Sequence, residues 1–498
     1  MKRRFWGKWI AGCVLVSFIS VLVVPLASWQ ASAAENNNNS YLPKVMEFIK
    51  NRYNYDVSDR LLYENSIKGM FGSLDDYSEF YSREEAEQFL ESVDGSYEGI
   101  GIALSEDQGF IVVTRVFPSS PAESAGLLSG DRIVSVNGED VTGISVDEAT
   151  VLIRGEKGTR VTLGIGRNGS KDVKEISVER NGIKMDPVSY EIRDGIGYVT
   201  IESFNANTDE YLEKALNALD NSQVGKIVLD LRDNTGGEVL QAVEAARHFV
   251  PAGTITTLKF RVGDDITYKS FLTAPKYKVV VLVNGMTASA SEILSGAIQD
   301  SKAGILVGSK TYGKARVQSV IPLLTPEAYQ KYARQYGDVT VDANDLAFRH
   351  GVEAADNEIE GWAKITTGTY LTPAGRFIDG QGLEPDIKIG DPAPVRDIEV
   401  RNIEKLTKIN KPALNSSDMD VYYAEKILKV CDYDVNKPDL NLDQKTLEAI
   451  KKFQINNGLY PSGVLDYATQ DAFNKLRLQL LTRYDLQYAR ACAYLTGK

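Results

Sequence analysis

Between residues 186 and 392, short apolar runs alternate with stretches of helix-period sequence, and few folds accommodate that alternation. Ile196 to Ile201, Ile227 to Leu231 and Val279 to Val283 read as buried strands. The segments near Thr208 to Leu219, Val239 to Phe249 and Ala290 to Ile298 read as amphipathic helices. An α/β domain is predicted, with its chemistry in the loops at strand ends. A polar stretch at 324–361, rich in Tyr, Asp and Glu, interrupts the pattern and reads as an insert.

The flanks follow other patterns. Residues 1–34 place Lys2, Arg3, Arg4 and Lys8 before a mainly apolar run from Trp9 to Trp29, then Ala31-Ser32-Ala33, as an export signal does. The run is also long enough to cross a hydrocarbon layer of about 30 Å, so a retained membrane anchor is the alternative. Either way the rest of the chain is expected outside the cytoplasm, membrane-anchored or secreted to the cell wall. Cys13 has lipobox-like neighbours, but the apolar run continues past it, unlike a lipidation site. After the polar tract Asn36 to Asn39, residues 41–95 show helical periodicity broken at Gly72-Ser73. Residues 96–182 are β-rich, with turn signals at Asn137-Gly138 and Asn168-Gly169. Residues 414–480 read as a small all-α unit with an apolar stripe through Ala449, Ile450, Phe453 and Leu459. A length of 498 residues suits several such domains.

Composition excludes some functions. A net charge of -12 would repel a phosphate backbone, so nucleic acid is not an expected partner. The chain has 2 His and 3 Cys, all scattered, which leaves no zinc set; neither metal nor cofactor is expected. A hydrolase built from this chain needs a base other than histidine, because His248 lies in a helical run and His350 in the insert. Cys431 and Cys492 allow one disulfide at most beyond the signal.

Three segments could combine into a reactive site. Thr287-Ala288-Ser289-Ala290-Ser291-Glu292 follows a strand and opens a helix. Ser289 with Glu292 fits a capping box, and it equally fits an exposed hydroxyl beside free backbone amides. Lys314 follows the apolar strand Ile305-Leu306-Val307 and a glycine-containing turn; burial there would depress its amine and let it act as base, whereas a solvated turn lysine would not. Gln318, four residues on, would share a face with Lys314 along an extended chain. In Arg232-Asp233-Asn234-Thr235-Gly236-Gly237 the paired glycines permit close approach to the main chain, or form a plain strand-to-helix turn.

Together these stretches resemble the C-terminal processing (tail-specific) protease family. The resemblance implies that Ser289 and Lys314 form a catalytic dyad, with Gln318 assisting the lysine. It also implies oxyanion donors at Gly237, or else Gly236, together with Ala290, and supporting acids at Asp300 and Glu292. Gly69-Met70 with Leu74-Asp75-Asp76-Tyr77-Ser78, and Tyr370 to Arg376 with Gly382 to Asp386, extend the likeness over roughly 41–390. The departures are Thr287 for Ser, Ala315 for Gly, and the insert. The implied core is a crotonase-like α/β fold. Residues 96–182 resemble a PDZ domain whose Gly99-Ile100-Gly101-Ile102 loop would hold a peptide carboxylate while the peptide adds a strand. Residues 414–480 resemble a peptidoglycan-binding helical domain, through Thr446 to Gln454, Gly458-Leu459 and Ser462-Gly463. The expected function is an exported serine endopeptidase acting on proteins with accessible C-termini. Peptidoglycan and the membrane are further expected contacts, and a homodimer remains open. A catalytically silent scaffold carrying PDZ and wall-binding modules is the competing reading.

Overall fold

A computed structural model of the chain describes residues 41–107, 109–167 and 173–497. The expected export signal or anchor, the Asn36 to Asn39 tract and the Asn168-Gly169 turn lie outside the described residues. Among the described residues no helix is long and apolar enough to cross a membrane.

The alternating region forms a six-stranded sheet in the order Val188–Arg193, Ile196–Ile201, Lys226–Asp230, Lys278–Val283, Gly304–Gly308, Ile387–Lys388. The first pair is an antiparallel hairpin, and all later neighbours are parallel. Parallel neighbours require crossovers, which the helices Thr208–Asn221, Val239–Arg247 and Ala290–Asp300 supply on one face. Ile227, Leu229, Val279, Val281 and Leu306 pack into that helical layer. The intervening residues Val228, Val280, Leu282 and Val307 point the other way. They pack against Val421, Leu428, Phe473, Leu481 and Tyr488 of the C-terminal helices. The C-terminal region, including a final helix Leu486–Thr496, is thus a third layer laid directly on the sheet.

An antiparallel sheet stands beside this core. Its long strand Ile359–Leu371 pairs with Arg316–Leu324, Gly253–Phe260 and the short Glu79–Tyr81. Between Arg316–Leu324 and Ile359–Leu371, the expected insert folds as helices Pro326–Tyr336 and Ala343–His350 around Leu324, Ala328, Tyr332, Leu346 and Ile359.

The PDZ-like region is a sheet in the order Ile102–Asp107, Phe110–Val116, Arg132–Val136, Arg160–Gly166, Val173–Glu179, with helix Val146–Ile153 beside it. Asn137 and Gly138 both take positive φ, 52° and 86°, and turn the chain between Arg132–Val136 and Glu139–Asp140. Among the described residues, strand Ile102–Asp107 is the sheet's outer edge, with one side unpaired. The region also touches the C-terminal region, at the connection between two of its helices: Arg132 donates to Asn441 Oδ1 at 2.9 Å.

Candidate active site

Ser289 sits where strand Lys278–Val283 gives way to helix Ala290–Asp300, with φ 55° and ψ -117°. A side chain at positive φ is strained and persists only where its surroundings hold it. Here Thr287 Oγ1 donates to the Leu231 carbonyl at 2.8 Å, Ala288 N–H to the Asn234 carbonyl at 3.0 Å, and Ser291 Oγ to the same carbonyl at 3.0 Å. Half of the anticipated capping box is present: Ser289 N–H donates to Glu292 Oε2 at 3.0 Å. The other half is not made by the hydroxyl, since the Glu292 N–H is taken by the Ser289 carbonyl at 2.8 Å. The Ser289 hydroxyl makes no capping bond and remains available.

Glu292 is fully buried and forms no ion pair among the described residues. Burial pushes its carboxyl up, and four donors work against that shift. Thr311 Oγ1 and Gly313 N–H reach Oε1 at 2.5 and 2.8 Å, while Ser289 N–H and Lys314 N–H share Oε2 at 3.0 and 2.9 Å. The carboxylate therefore joins the serine turn to the lysine loop. A second joint is Tyr370, whose hydroxyl lies 3.0 Å from the Ser289 carbonyl oxygen and 2.9 Å from that of Lys314. A third is the Tyr312 N–H, which donates to the Thr287 carbonyl at 3.0 Å.

The Lys314 side chain is half-buried, and its Nζ lies 4.5 Å from the centre of the Tyr77 ring. Burial lowers its amine below the ordinary lysine value; the Lys364 charge adds to that shift and Asp75 opposes it. Gln318 donates to Thr366 Oγ1 at 3.2 Å. The strand beginning at Arg316 shifts register between Val317 and Gln318, which interrupts the simple alternation from Lys314.

The two-glycine turn backs onto Ser289. A Cβ on Gly236 would lie 2.8 Å from Ser289 Cβ and 2.9 Å from the Ala288 carbonyl oxygen, so only glycine fits. The Gly236 N–H is already used, donating to Asn234 Oδ1 at 2.8 Å. Phe204 N–H bonds the Gly236 carbonyl and Glu238 N–H bonds the Phe204 carbonyl, at 3.0 and 2.7 Å. That bridge turns the N–H of the exposed Gly237 away from Phe204. Asp300 closes the far end of the same helix, accepting from Ala374 N–H at 2.9 Å and from Arg376 at 2.5 Å. Neither histidine joins Ser289: His248 Nε2 pairs with Asp209 at 2.9 Å, and His350 stacks on Tyr336.

Arg232, at the start of the glycine turn, is a residue sequence reasoning left without a role. It is buried and donates to Asp230, to Asp485 Oδ1 at 3.0 Å and to Gln487 Oε1 at 3.0 Å. The turn is thereby fixed to the C-terminal layer.

In the PDZ-like region the Ile100 carbonyl accepts from Ala122 N–H at 2.9 Å and the Gly101 carbonyl from Phe117 N–H at 3.0 Å. Gly101 has φ 84°, and a Cβ there would meet Ser120 Cβ at 2.4 Å. The Gly99 to Ile102 loop leads into the unpaired edge of strand Ile102–Asp107.

The carboxy-terminal processing protease CtpB of Bacillus subtilis is 31% identical over 456 residues, covering 90% of this chain and 87% of its own. This chain belongs to the carboxy-terminal processing protease family. The B. subtilis protease CtpA is similar to the same extent, 32% identical over 457 residues, covering 90% of this chain and 88% of its own. Family models match as peptidase family S41 at 195–389, PDZ domain at 88–166 and putative peptidoglycan binding domain at 417–473. Among solved structures, the photosystem II D1 C-terminal processing protease is similar at 26% identity, covering 71% of this chain and 88% of that one, with a TM-score of 0.38. As a carboxy-terminal processing protease, the chain is a serine peptidase with a PDZ domain and a peptidoglycan-binding-like domain.

Proposed function

We propose that the chain is an exported endopeptidase in which the Ser289 hydroxyl is the nucleophile and the Lys314 amine is its base. The observation that carries this reading is the double joint between them, a shared Glu292 oxygen and a shared Tyr370 hydroxyl. Neutral Lys314 takes the Ser289 proton as Oγ bonds to the scissile carbonyl carbon. The resulting oxyanion is received by the N–H groups of Gly237 and Ala290. As the C–N bond breaks, the Lys314 ammonium returns the proton to the leaving amine, and water then releases the acyl group by the same route. Gln318 orients the amine during transfer. Glu292 holds both loops, and Asp300 braces the closing segment.

Substrates are recognised at their C-termini. A peptide adds to the edge strand Ile102–Asp107, and its carboxylate meets the amides of the Gly99, Ile100, Gly101 and Ile102 loop. Residues 1–34 direct the chain out of the cytoplasm, and the C-terminal layer contacts peptidoglycan.

Cleavage of an unfolded protein by purified Ser289→Ala and Lys314→Ala variants tests the dyad. Both are expected to be inactive, and turnover by either at the parent rate would overturn it. C-terminal amidation of a peptide substrate tests recognition and is expected to weaken its binding.

A further inference from the structure

The segment Leu74-Asp75-Asp76-Tyr77-Ser78 lies outside the S41 match, yet it reaches the reactive lysine. Asp75 Oδ1 accepts the N–H groups of Tyr77 and Ser78 at 2.9 and 2.8 Å, a turn that fixes the aromatic side chain. Ser78 is buried, and its hydroxyl accepts the Thr366 N–H at 3.1 Å, which pins the turn to strand Ile359–Leu371. The next residues continue as strand Glu79–Tyr81 on the same sheet. Arg316 also lies over the Tyr77 ring, 5.8 Å from its centre, and is held by Asp379 at 3.0 Å. Tyr312, two residues from Lys314, lies beside the Tyr77 hydroxyl. The ring is therefore a built surface, and the Lys314 Nζ rests on its face at 4.5 Å.

The geometry points to Tyr77 as a positioning residue of the proteolytic site, a charge-selective rest that holds Lys314 as ammonium between turnovers. This inference rests on the Ser289/Lys314 reading above. An aromatic face attracts a cation through its quadrupole and has no such hold on a neutral amine. Loss of the proton therefore frees Nζ to turn toward the Ser289 hydroxyl. The other charged and titratable groups around the amine are Asp75 on the N-terminal turn, Tyr312 beside the lysine, Arg316 and Lys364 on the antiparallel sheet and Asp379 of the closing segment, while Glu292 accepts the main-chain N–H of the lysine. Lys364 favours deprotonation and Asp75 opposes it, and the ring adds to the side of Asp75.

The test is the pH profile of kcat/KM for the full chain, Tyr77→Phe, Tyr77→Leu and variants with progressively fluorinated phenylalanine at 77. Removing the ring takes away a contact made only by the ammonium, so the acid limb of Tyr77→Leu should move to lower pH by about one unit. Tyr77→Phe keeps the ring and should keep the limb. Fluorination drains the face without changing its shape, so the limb should fall stepwise with fluorine count, a result available even if Tyr77→Leu does not fold. A limb that stays put across the fluorinated series, or one that moves as far in Tyr77→Phe as in Tyr77→Leu, overturns the inference. Activity retained by Lys314→Ala would instead remove the dyad itself. An inactive Lys314→Ala beside an unmoved limb rejects only the role of the ring.

Discussion

Ser289 and Lys314 share two main-chain partners. Their N–H groups meet at Glu292 Oε2, at 3.0 and 2.9 Å, and their carbonyl oxygens meet at the Tyr370 hydroxyl, at 3.0 and 2.9 Å. The serine turn and the lysine loop are set by a carboxylate and a phenol that need never touch substrate, which gives both side groups a test of their own.

Glu292→Gln is the sharper variant. Glutamine keeps the shape but puts an NH2 donor where two of four donors now find an acceptor. A buried donor left unsatisfied costs about 1–3 kcal/mol. We expect a stability loss of about 2–4 kcal/mol in urea unfolding, and a fall in kcat larger than any change in KM, because the two loops separate.

Gly236→Ala should damage catalysis more than folding. The added methyl would sit 2.8 Å from Ser289 Cβ at φ 107°, and the serine turn must yield. Displacing an oxyanion donor costs about 100–1000-fold in kcat. The expected result is a loss of that order, with PDZ peptide binding unchanged in a fluorescence titration.

The C-terminal layer is expected to stabilise the protease core. Arg232 is buried between Asp230 and Asp485, and Asp485→Ala leaves it with a partner missing. Breaking a buried pair costs about 3–5 kcal/mol. The variant should unfold at markedly lower urea, and its activity well below the unfolding transition should also drop, since Arg232 anchors the glycine turn.

Glu425, in helix Met419–Val430, predicts a pH effect in that layer. Burial raises its carboxyl to about 8, against bonds from Thr446 and the Asp439 N–H. The fold thus favours the neutral form, relative to about 4.3 in an unfolded chain. Its contribution to stability is full below about pH 4 and is lost as pH rises through about 8. Amide exchange in the C-terminal helices should speed up between about pH 6 and 9 beyond the intrinsic rate, by about 3 kcal/mol of protection. Glu425→Gln should remove that excess.

Much of this was legible in the chain. Apolar runs located the core strands, and the serine, lysine and glycine segments were visible because each interrupts a periodic pattern. The layer covering the sheet was not. A strand buried on both faces is apolar throughout, so Val228 and Val280 give no sign that C-terminal helices cover them. In the sequence Tyr370 stands out only as part of a motif, because its role comes from a hydroxyl that meets residues 81 and 56 positions away. Glu79–Tyr81 is only 3 residues long and too short for periodicity to register, which hid the approach of Tyr77 to Lys314.

The most direct test of the dyad is to replace the amine and then restore it. In a chain with Cys13, Cys431 and Cys492 changed to Ser, kcat/KM of Lys314→Cys is measured before and after aminoethylation of the new thiol. The account predicts a loss of about 100–10,000-fold, the usual contribution of a general base, then substantial recovery once an amine stands at 314 again. Cleavage at the parent rate by the unmodified thiol variant would contradict it.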